Sequence, residues 1–145
     1  MKNLTLKLAG VLLACVMLVP AVAAAPPAND NKADAAVLVL THSVNTSEAT
    51  VEAGEPTVTC TYVGKTVWYL VVAATPGTII DTVGSNFDTT LAAFDANGVR
   101  VACDDDGGPG LQSKMTIALP GVYWVQAGGY AGWGVASGNL VINQS

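Results

Sequence analysis

The stretch Ile79–Gln112, IIDTVGSNFDTTLAAFDANGVRVACDDDGGPGLQ, carries the pattern that decides the fold of this chain. Residues 90–95 place alternate side chains on two faces, with the two-residue period of a half-buried strand. The turn Ala96–Gly98 follows, where glycine can adopt a positive φ at little cost. A second strand then runs into three consecutive aspartates, Asp104–Asp106. We therefore predict two short strands joined by a tight turn and followed by an acidic glycine loop.

Similar short runs, separated by turn residues, continue along the rest of the chain. The apolar run Ala36–Leu40 is typical of a strand buried on both faces, and Thr66–Ala73 predicts the main core strand. Pro-Gly turns at Pro76–Gly77 and Pro120–Gly121 reverse the chain. We predict an all-β, antiparallel jelly-roll β-sandwich of about eight or nine short strands, because turn signals recur about every 8–12 residues without a helical period.

The first 25 residues have the composition of a signal peptide. Lys2 and Lys7 form a positive start, an apolar run follows over Leu8–Val19, and small residues lead up to Ala25. The run is too short to span a membrane, so we predict a secreted protein, extracellular or periplasmic. The alternative is a lipoprotein anchored at Cys15. After the signal peptide over 1–25, we predict a linker over 26–34 and a β-sandwich domain over 35–145.

The predicted mature chain is acidic. The full sequence has six Lys and Arg residues against eleven Asp and Glu residues, and cleavage would remove Lys2 and Lys7. A nucleic-acid-binding protein needs a basic face to displace counterions from phosphates. The charge therefore excludes nucleic acid as a partner and indicates a solvated acidic surface, of which a cation site accounts for a part at most.

Two cysteines, Cys60 and Cys103, remain after the predicted cleavage. In an exported protein an even pair of cysteines predicts a disulfide bond. Closing a loop of about 40 residues would stabilise the fold by roughly 4 kcal/mol. A free or metal-binding thiol is the alternative.

Seven segments in order along the chain resemble the bacterial pre-peptidase C-terminal (PPC) domain. They are NDNKADA (29–35), GEP (54–56), KTVWY (65–69), GTIIDTVGSNFDTTLAAFD (77–95), VACDDDGG (101–108), GLQS (110–113) and YWVQAGGYAGWGVASGNLVI (123–142). The resemblance implies a jelly-roll β-sandwich, related to the collagen-binding domains of secreted collagenases. It also implies a non-catalytic module that assists protease secretion or holds a protease to an insoluble substrate.

The residues themselves also argue against catalysis. The chain has one histidine, His42, in a polar turn, and it lacks a nucleophile elbow and a zinc-binding pair of histidines. Asp88 and Asp95 could form the carboxylate pair of a glycosidase. Aspartates next to turns more commonly bond backbone N–H groups. We therefore predict that the protein is not an enzyme.

Acidic residues of the loop after Cys103 predict a calcium site. Calcium takes several oxygen ligands, mainly carboxylates and carbonyls, from a bent backbone. Alternate residues share a face, so Asp104 and Asp106 are the expected ligands. In the collagen-binding domains that the chain resembles, an acidic N-terminal linker contributes ligands, which implies that Asn29 and Asp30 belong to the site. A loop that is only solvated is the alternative.

Aromatic residues predict a ligand-binding surface. The resemblance places Tyr69 on the core face of its strand, so Trp68, Leu70 and Val72 face outward. The predicted ligand-binding residues are Trp68, Trp124, Tyr130 and Trp133. Flat aromatic faces suit sugar rings and peptide chains, and exposed apolar patches usually mark binding sites. The alternative is that Trp68 and Trp124 are covered by a second sheet or a loop.

Together these features predict a secreted, non-catalytic module that binds an extracellular polymer or protein surface and holds a structural calcium. The alternative function, from a different class, is a structural or secretion-assisting module without a ligand, which acts with a separately encoded protease.

Overall fold

A computed structural model describes residues 24–56 and 60–145 of the protein. The predicted signal sequence up to Ala23, with Cys15 and the alternative lipid anchor, lies outside the described residues. No helix in the described ranges is long and apolar enough to span a membrane. Helical structure in these ranges is limited to one 3-10 turn, Lys32–Asp34.

Nine strands in the described part of the chain form two sheets, which confirms the predicted all-β sandwich. The strands are β1 (Ala36–Val37), β2 (Thr41–Asn45), β3 (Val63–Ala73), β4 (Thr78–Asp81), β5 (Thr89–Phe94), β6 (Arg100–Asp104), β7 (Lys114–Ile117), β8 (Gly121–Tyr130) and β9 (Asn139–Gln144). Five strands pair in the order β1-β3-β8-β5-β6, and four in the order β2-β9-β4-β7. All pairs are antiparallel except β1 and β3, which run parallel.

One apolar core lies between the two sheets. Val67, Tyr69 and Val71 point into it from β3, on the face that the family resemblance implies. Leu140 and Ile142 of β9 belong to the same core on the side of the four-stranded sheet, and both are fully buried. The side chains of β3 between these core positions therefore face the outer surface of the five-stranded sheet.

The long antiparallel pair β3–β8 defines two ends of the sandwich. Val63 pairs with Tyr130 at one end, and Ala73 pairs with Gly121 at the other. We call these the Tyr130 end and the Gly121 end. The start of β5 belongs to the Tyr130 end, because Thr89 pairs with Gly129.

The apolar run Ala36–Leu40 is not a strand buried on both faces, and that part of the prediction is wrong. Only Ala36 and Val37 pair with β3, and Val37, Val39 and Leu40 are exposed. Leu40 has a φ of 59°, in the left-handed region. The run forms a short edge strand and then the crossover from one sheet to the other. Leu38 is buried in the core, whereas Val37, Val39 and Leu40 lie at the surface.

The predicted disulfide bond between Cys60 and Cys103 is confirmed, with Cα atoms 6.3 Å apart. Cys103 lies opposite Ala92 of β5 and packs against the outer face of the five-stranded sheet. The bond therefore ties the chain segment before β3 to β6, an edge strand of that sheet.

We expect the double variant Cys60→Ser/Cys103→Ser to lose about 2–4 kcal/mol of its free energy of unfolding, because the unfolded chain loses its cross-link. Guanidinium denaturation of the oxidised parent and of the variant measures this difference. Reductant should lower the stability of the parent and leave the variant unchanged. Equal stability of the two oxidised proteins would contradict a structural role of the bond.

Candidate functional sites

A second apolar cluster lies on the outer face of the five-stranded sheet. Trp68, Ala92 and Phe94 are buried there, and the rings of Trp68 and Phe94 have centroids 6.0 Å apart. Ala35 and Trp124 pack against this cluster. The outer face is therefore apolar at its centre and is covered by other parts of the chain.

Residues 29–35, which we call the N-terminal strap, form one part of this cover. The backbone N–H of Trp68 donates to the carbonyl of Asn29 at 2.8 Å, and Asn29 Nδ2 donates to the carbonyl of Trp68 at 3.0 Å. Both carboxylate oxygens of Asp30 accept hydrogen bonds from Thr50, at 2.7 and 2.6 Å. Asn29 and Asp30 are buried and hold the strap in place. β3, β8 and β5 separate them from β6, so they do not join the acidic loop as the family resemblance implied.

Glu55 forms the second part of the cover. Its Oε1 accepts hydrogen bonds from Thr66 Oγ1 at 2.7 Å and from Trp68 Nε1 at 3.1 Å. Its Oε2 accepts one from Gln126 Nε2 at 2.8 Å. This role of Glu55 was not predicted from the sequence, although the residue belongs to the Gly-Glu-Pro turn that contributed to the family resemblance. The feature of the sequence that could have indicated this role is a charged residue between the glycine and the proline of a turn.

The prediction that Trp68 belongs to a ligand-binding surface is wrong, whereas the one for Trp124 stays a prediction. Trp68 is fully buried beneath the strap and Glu55. Trp124 is half-buried, and the Nζ of Lys32 lies 5.0 Å from the centroid of its ring and 5.6 Å from that of Trp68. The physical reason is that large apolar side chains on an outer face are stabilised by roughly 1.5–3 kcal/mol each when another segment buries them.

Tyr130 and Trp133 lie in different environments. Tyr130 ends β8 and is half-buried, whereas the side chain of Trp133 is 96% exposed. The loop is held close to β8 at Gly129, where an added Cβ would overlap the backbone of Ala136. The backbone N–H of Ala136 also donates to the carbonyl of Tyr130 at 2.9 Å. Both ends of the loop that carries Trp133 are therefore held against the end of β8.

Exposed apolar side chains extend from this loop along the Tyr130 end. Tyr62 is 73% exposed, and Val51 and Val135 are also exposed. A cavity of about 300 Å³ is lined by Val51, Tyr62 and Ala131, among others, and a second of about 270 Å³ by Val51, Gly64 and Val135, among others. We call the exposed residues Val51, Tyr62, Trp133 and Val135 the Tyr62–Trp133 surface.

Asp104 has a structural role in the acidic loop. Its Oδ2 accepts hydrogen bonds from the backbone N–H groups of Gly107 and Lys114, each at 2.7 Å. Gly107 approaches so closely that an added Cβ would clash with the Asp104 carboxylate. Asp104 therefore stabilises the turn. This geometry does not favour the predicted pairing of Asp104 with Asp106 as metal ligands.

Asp88, Asp105 and Asp106 come together instead. One carboxylate oxygen from each lies within 4.8 Å of the others, and no other group of three acidic, histidine or cysteine side chains is this close in the described ranges. Oδ1 of Asp88 and Oδ1 of Asp105 are both buried without a hydrogen-bond partner. Asp88 was not predicted as a partner of the loop from the sequence. It directly precedes β5, and only the pairing of β5 with β6 brings it close to Asp105.

Hydroxyl groups hold Asp105 in place. Ser113 Oγ donates to the backbone carbonyl of Asp105, and it also contacts the carbonyl of Thr89, both at 2.7 Å. Thr61 Oγ1 donates to Asp105 Oδ2 at 2.8 Å. Thr61 follows the disulfide-bonded Cys60 directly, so the covalent bond positions this contact.

Burial and repulsion act on the same carboxyl groups. Burial raises the pKa of Asp88, and the neighbouring charges of Asp105 and Asp106 raise it further. Burial also raises the pKa of Asp105, which the hydrogen bond from Thr61 opposes and the charges of Asp106 and Asp104 reinforce. At neutral pH these ionised carboxylates therefore destabilise the folded state unless a positive charge compensates them.

Asp88 and Asp95 cannot form a glycosidase pair. They flank the six residues of β5, and an extended strand of this length separates them by about 20 Å. The carboxylates of glycosidases lie roughly 5–10 Å apart. Asp95 Oδ1 instead accepts hydrogen bonds from the N–H groups of Asn97 and Val99, at 2.9 and 2.8 Å, and stabilises the turn after β5.

No family model and no curated protein sequence matches this chain. The resemblance to PPC domains therefore depends on the sequence segments that carry it.

We expect Trp68→Ala to reduce the free energy of unfolding by about 3–5 kcal/mol, because it empties a fully buried site. The matched variant Trp133→Ala should change it by less than about 0.5 kcal/mol, because that side chain lies in water. Urea denaturation of both variants measures the two effects. Similar losses in the two proteins would show that the outer face is not covered as described.

The raised pKa values predict that stability depends on pH. Between the ordinary carboxyl pKa near 4 and the raised value, the native state holds protons that the unfolded chain has released, so stability falls as pH rises through that window. We expect Asp88→Asn to be more stable than the parent at pH 7 without metal ions, and this advantage should shrink toward pH 4.

Urea denaturation at both pH values, in the presence of a chelator, tests this expectation. Glu48→Gln is the matched control, because it removes one exposed carboxylate in the connection between β2 and β3. If Asp88→Asn and Glu48→Gln respond alike to pH, repulsion within the cluster is not the cause.

Proposed function

We propose that this chain is a secreted, non-catalytic β-sandwich module that binds an extracellular polymer or protein surface. The observation that carries the proposal is the Tyr62–Trp133 surface, on which Trp133 is 96% and Tyr62 is 73% exposed. Exposed apolar patches usually mark interaction sites. Aromatic side chains are also the residues that most often dominate binding energy.

The backbone beneath this surface favours binding without a large ordering cost. The N–H of Ala131 donates to the carbonyl of Tyr62 at 3.0 Å, which joins the segment before β3 to the loop after β8. A rigid base reduces the conformational entropy that binding would otherwise remove. The two cavities on either side of Val51 are open recesses, into which parts of a sugar ring or a peptide side chain would fit.

Two features support secretion and a non-catalytic role. The Cys60–Cys103 disulfide is typical of an oxidising compartment. The only histidine, His42, has its Nδ1 3.0 Å from the hydroxyl of Tyr69, and burial raises the pKa of that hydroxyl to about 12. Tyr69 therefore stays protonated at neutral pH, and its contact with Nδ1 gives His42 a structural role beside the core.

Retention on insoluble polymers tests the proposal. We expect the parent protein to be retained on at least one of collagen, chitin, cellulose and peptidoglycan. The double variant Tyr62→Ala/Trp133→Ala should bind that polymer at least about 10-fold more weakly, since a buried aromatic anchor contributes about 2 kcal/mol or more to binding. Its urea denaturation midpoint should stay close to that of the parent.

Leu119→Ala is the matched control for this experiment. Leu119 is a large apolar side chain, 69% exposed, next to Gly121 at the opposite end of the sandwich. It should leave retention unchanged. The proposal fails if the parent is retained by none of the four polymers. It also fails if the double variant and Leu119→Ala bind equally well.

A further inference from the structure

Three carboxylates come together at the Tyr130 end, where the acidic loop follows β6. We propose that Asp88, Asp105 and Asp106, together with the hydroxyl of Thr90, bind a calcium ion. The site differs from the one that the sequence predicted, and it does not depend on the Tyr62–Trp133 surface. Its chemical basis is that calcium takes oxygen ligands from carboxylates, carbonyls and hydroxyls on irregular backbone.

The separation of the three carboxylates fits one ion. Their oxygens lie within 4.8 Å of one another. An ion that is 2.3–2.6 Å from each ligand allows two ligands to be at most about 4.6–5.2 Å apart. Asp88, Asp105 and Asp106 can therefore coordinate one calcium ion with small adjustments of their side chains.

Thr90 supplies an observation that is independent of the acidic cluster. Its side chain is 1% exposed, and its Oγ1 is buried without a hydrogen-bond partner. A buried hydroxyl without a partner is costly, so such groups in folded proteins call for a missing partner. Oδ1 of Asp88 and Oδ1 of Asp105 are likewise buried without a hydrogen-bond partner. Among the four such oxygens that the described residues contain, three thus belong to the proposed site.

The strand register directs Thr90 toward these carboxylates. Leu91 pairs with Asp104 and Ala92 with Cys103, and extending this register by one residue past the end of β6 brings Thr90 opposite Asp105. Directly opposite residues of an antiparallel pair point to the same face. Leu91 belongs to the inner core and Ala92 to the outer cluster, so Thr90 points outward, as does Asp88 two residues earlier.

The loop is already arranged for such an ion. Asp104 accepts hydrogen bonds from two backbone N–H groups, and Ser113 donates one to the carbonyl of Asp105. Thr61 bonds Asp105 Oδ2 and leaves its Oδ1 free to coordinate. Three carboxylates give a site of high negative charge, whose repulsion a divalent cation would relieve. Calcium suits loop ligands of this kind better than magnesium, which requires near-ideal octahedral geometry and shorter distances of about 2.1 Å.

Calorimetric titration and thermal melting of the full chain, first freed of metal with a chelator, test the proposal. We expect calcium chloride to bind with a Kd of about 10⁻⁴–10⁻³ M, as in extracellular modules. At 10 mM calcium the melting temperature should rise by roughly 5–10 °C. Magnesium chloride at the same concentration should raise it by less than half as much.

Variants locate the site. Asp106 is exposed, so Asp106→Asn should fold normally and bind calcium at least about 10-fold more weakly. Asp105→Asn should lose the calcium-dependent rise in melting temperature, whereas the control Glu48→Gln should keep it. The proposal is overturned if the parent shows neither heat nor a melting shift with calcium. It is equally overturned if Asp105→Asn and Asp106→Asn both retain the parent response, or if magnesium acts as strongly as calcium.

Discussion

Trp68 and Phe94 lie side by side on the outer face of the five-stranded sheet, where neither faces the core between the sheets. Both are buried, so a second layer has to cover them. The N-terminal strap forms the backbone contacts of that layer with Trp68. Glu55 accepts hydrogen bonds from the side chains of Trp68 and Gln126. A half-buried carboxylate is tolerated in this position because it accepts several hydrogen bonds.

This cover determines which part of the surface is left for interactions. With the centre of the outer face closed, the exposed aromatic side chains lie at the Tyr130 end. Three consecutive residues connect the features of that end: Cys60 forms the disulfide, Thr61 bonds Asp105, and Tyr62 is exposed. The acidic cluster and the Tyr62–Trp133 surface are therefore neighbours that share one anchored segment, although each is built from different side chains.

The sequence predicts the regular part of this fold well and the cover poorly. Alternation in β3 places Tyr69 and Trp68 on opposite faces, since the period of a strand is fixed by its backbone, and the family resemblance implies that Tyr69 faces the core. What lies over Trp68 depends on residues 39 positions away, such as Asn29, and no local pattern reports such a contact. Asp88 escaped prediction for the same reason, because its approach to Asp105 requires the register of β5 and β6. The disulfide was predictable because an even pair of cysteines leaves one pairing.

Hydrogen exchange of the tryptophan indole N–H groups, followed by nuclear magnetic resonance, tests the central claim that the chain covers its own outer face. The Nε1–H of Trp68 donates to Glu55 and is buried, whereas Trp133 is 96% exposed. We expect the indole proton of Trp68 to exchange at least about 100-fold more slowly than that of Trp133, because its exchange requires local opening of the cover. Comparable exchange rates for the two indole protons would contradict this account.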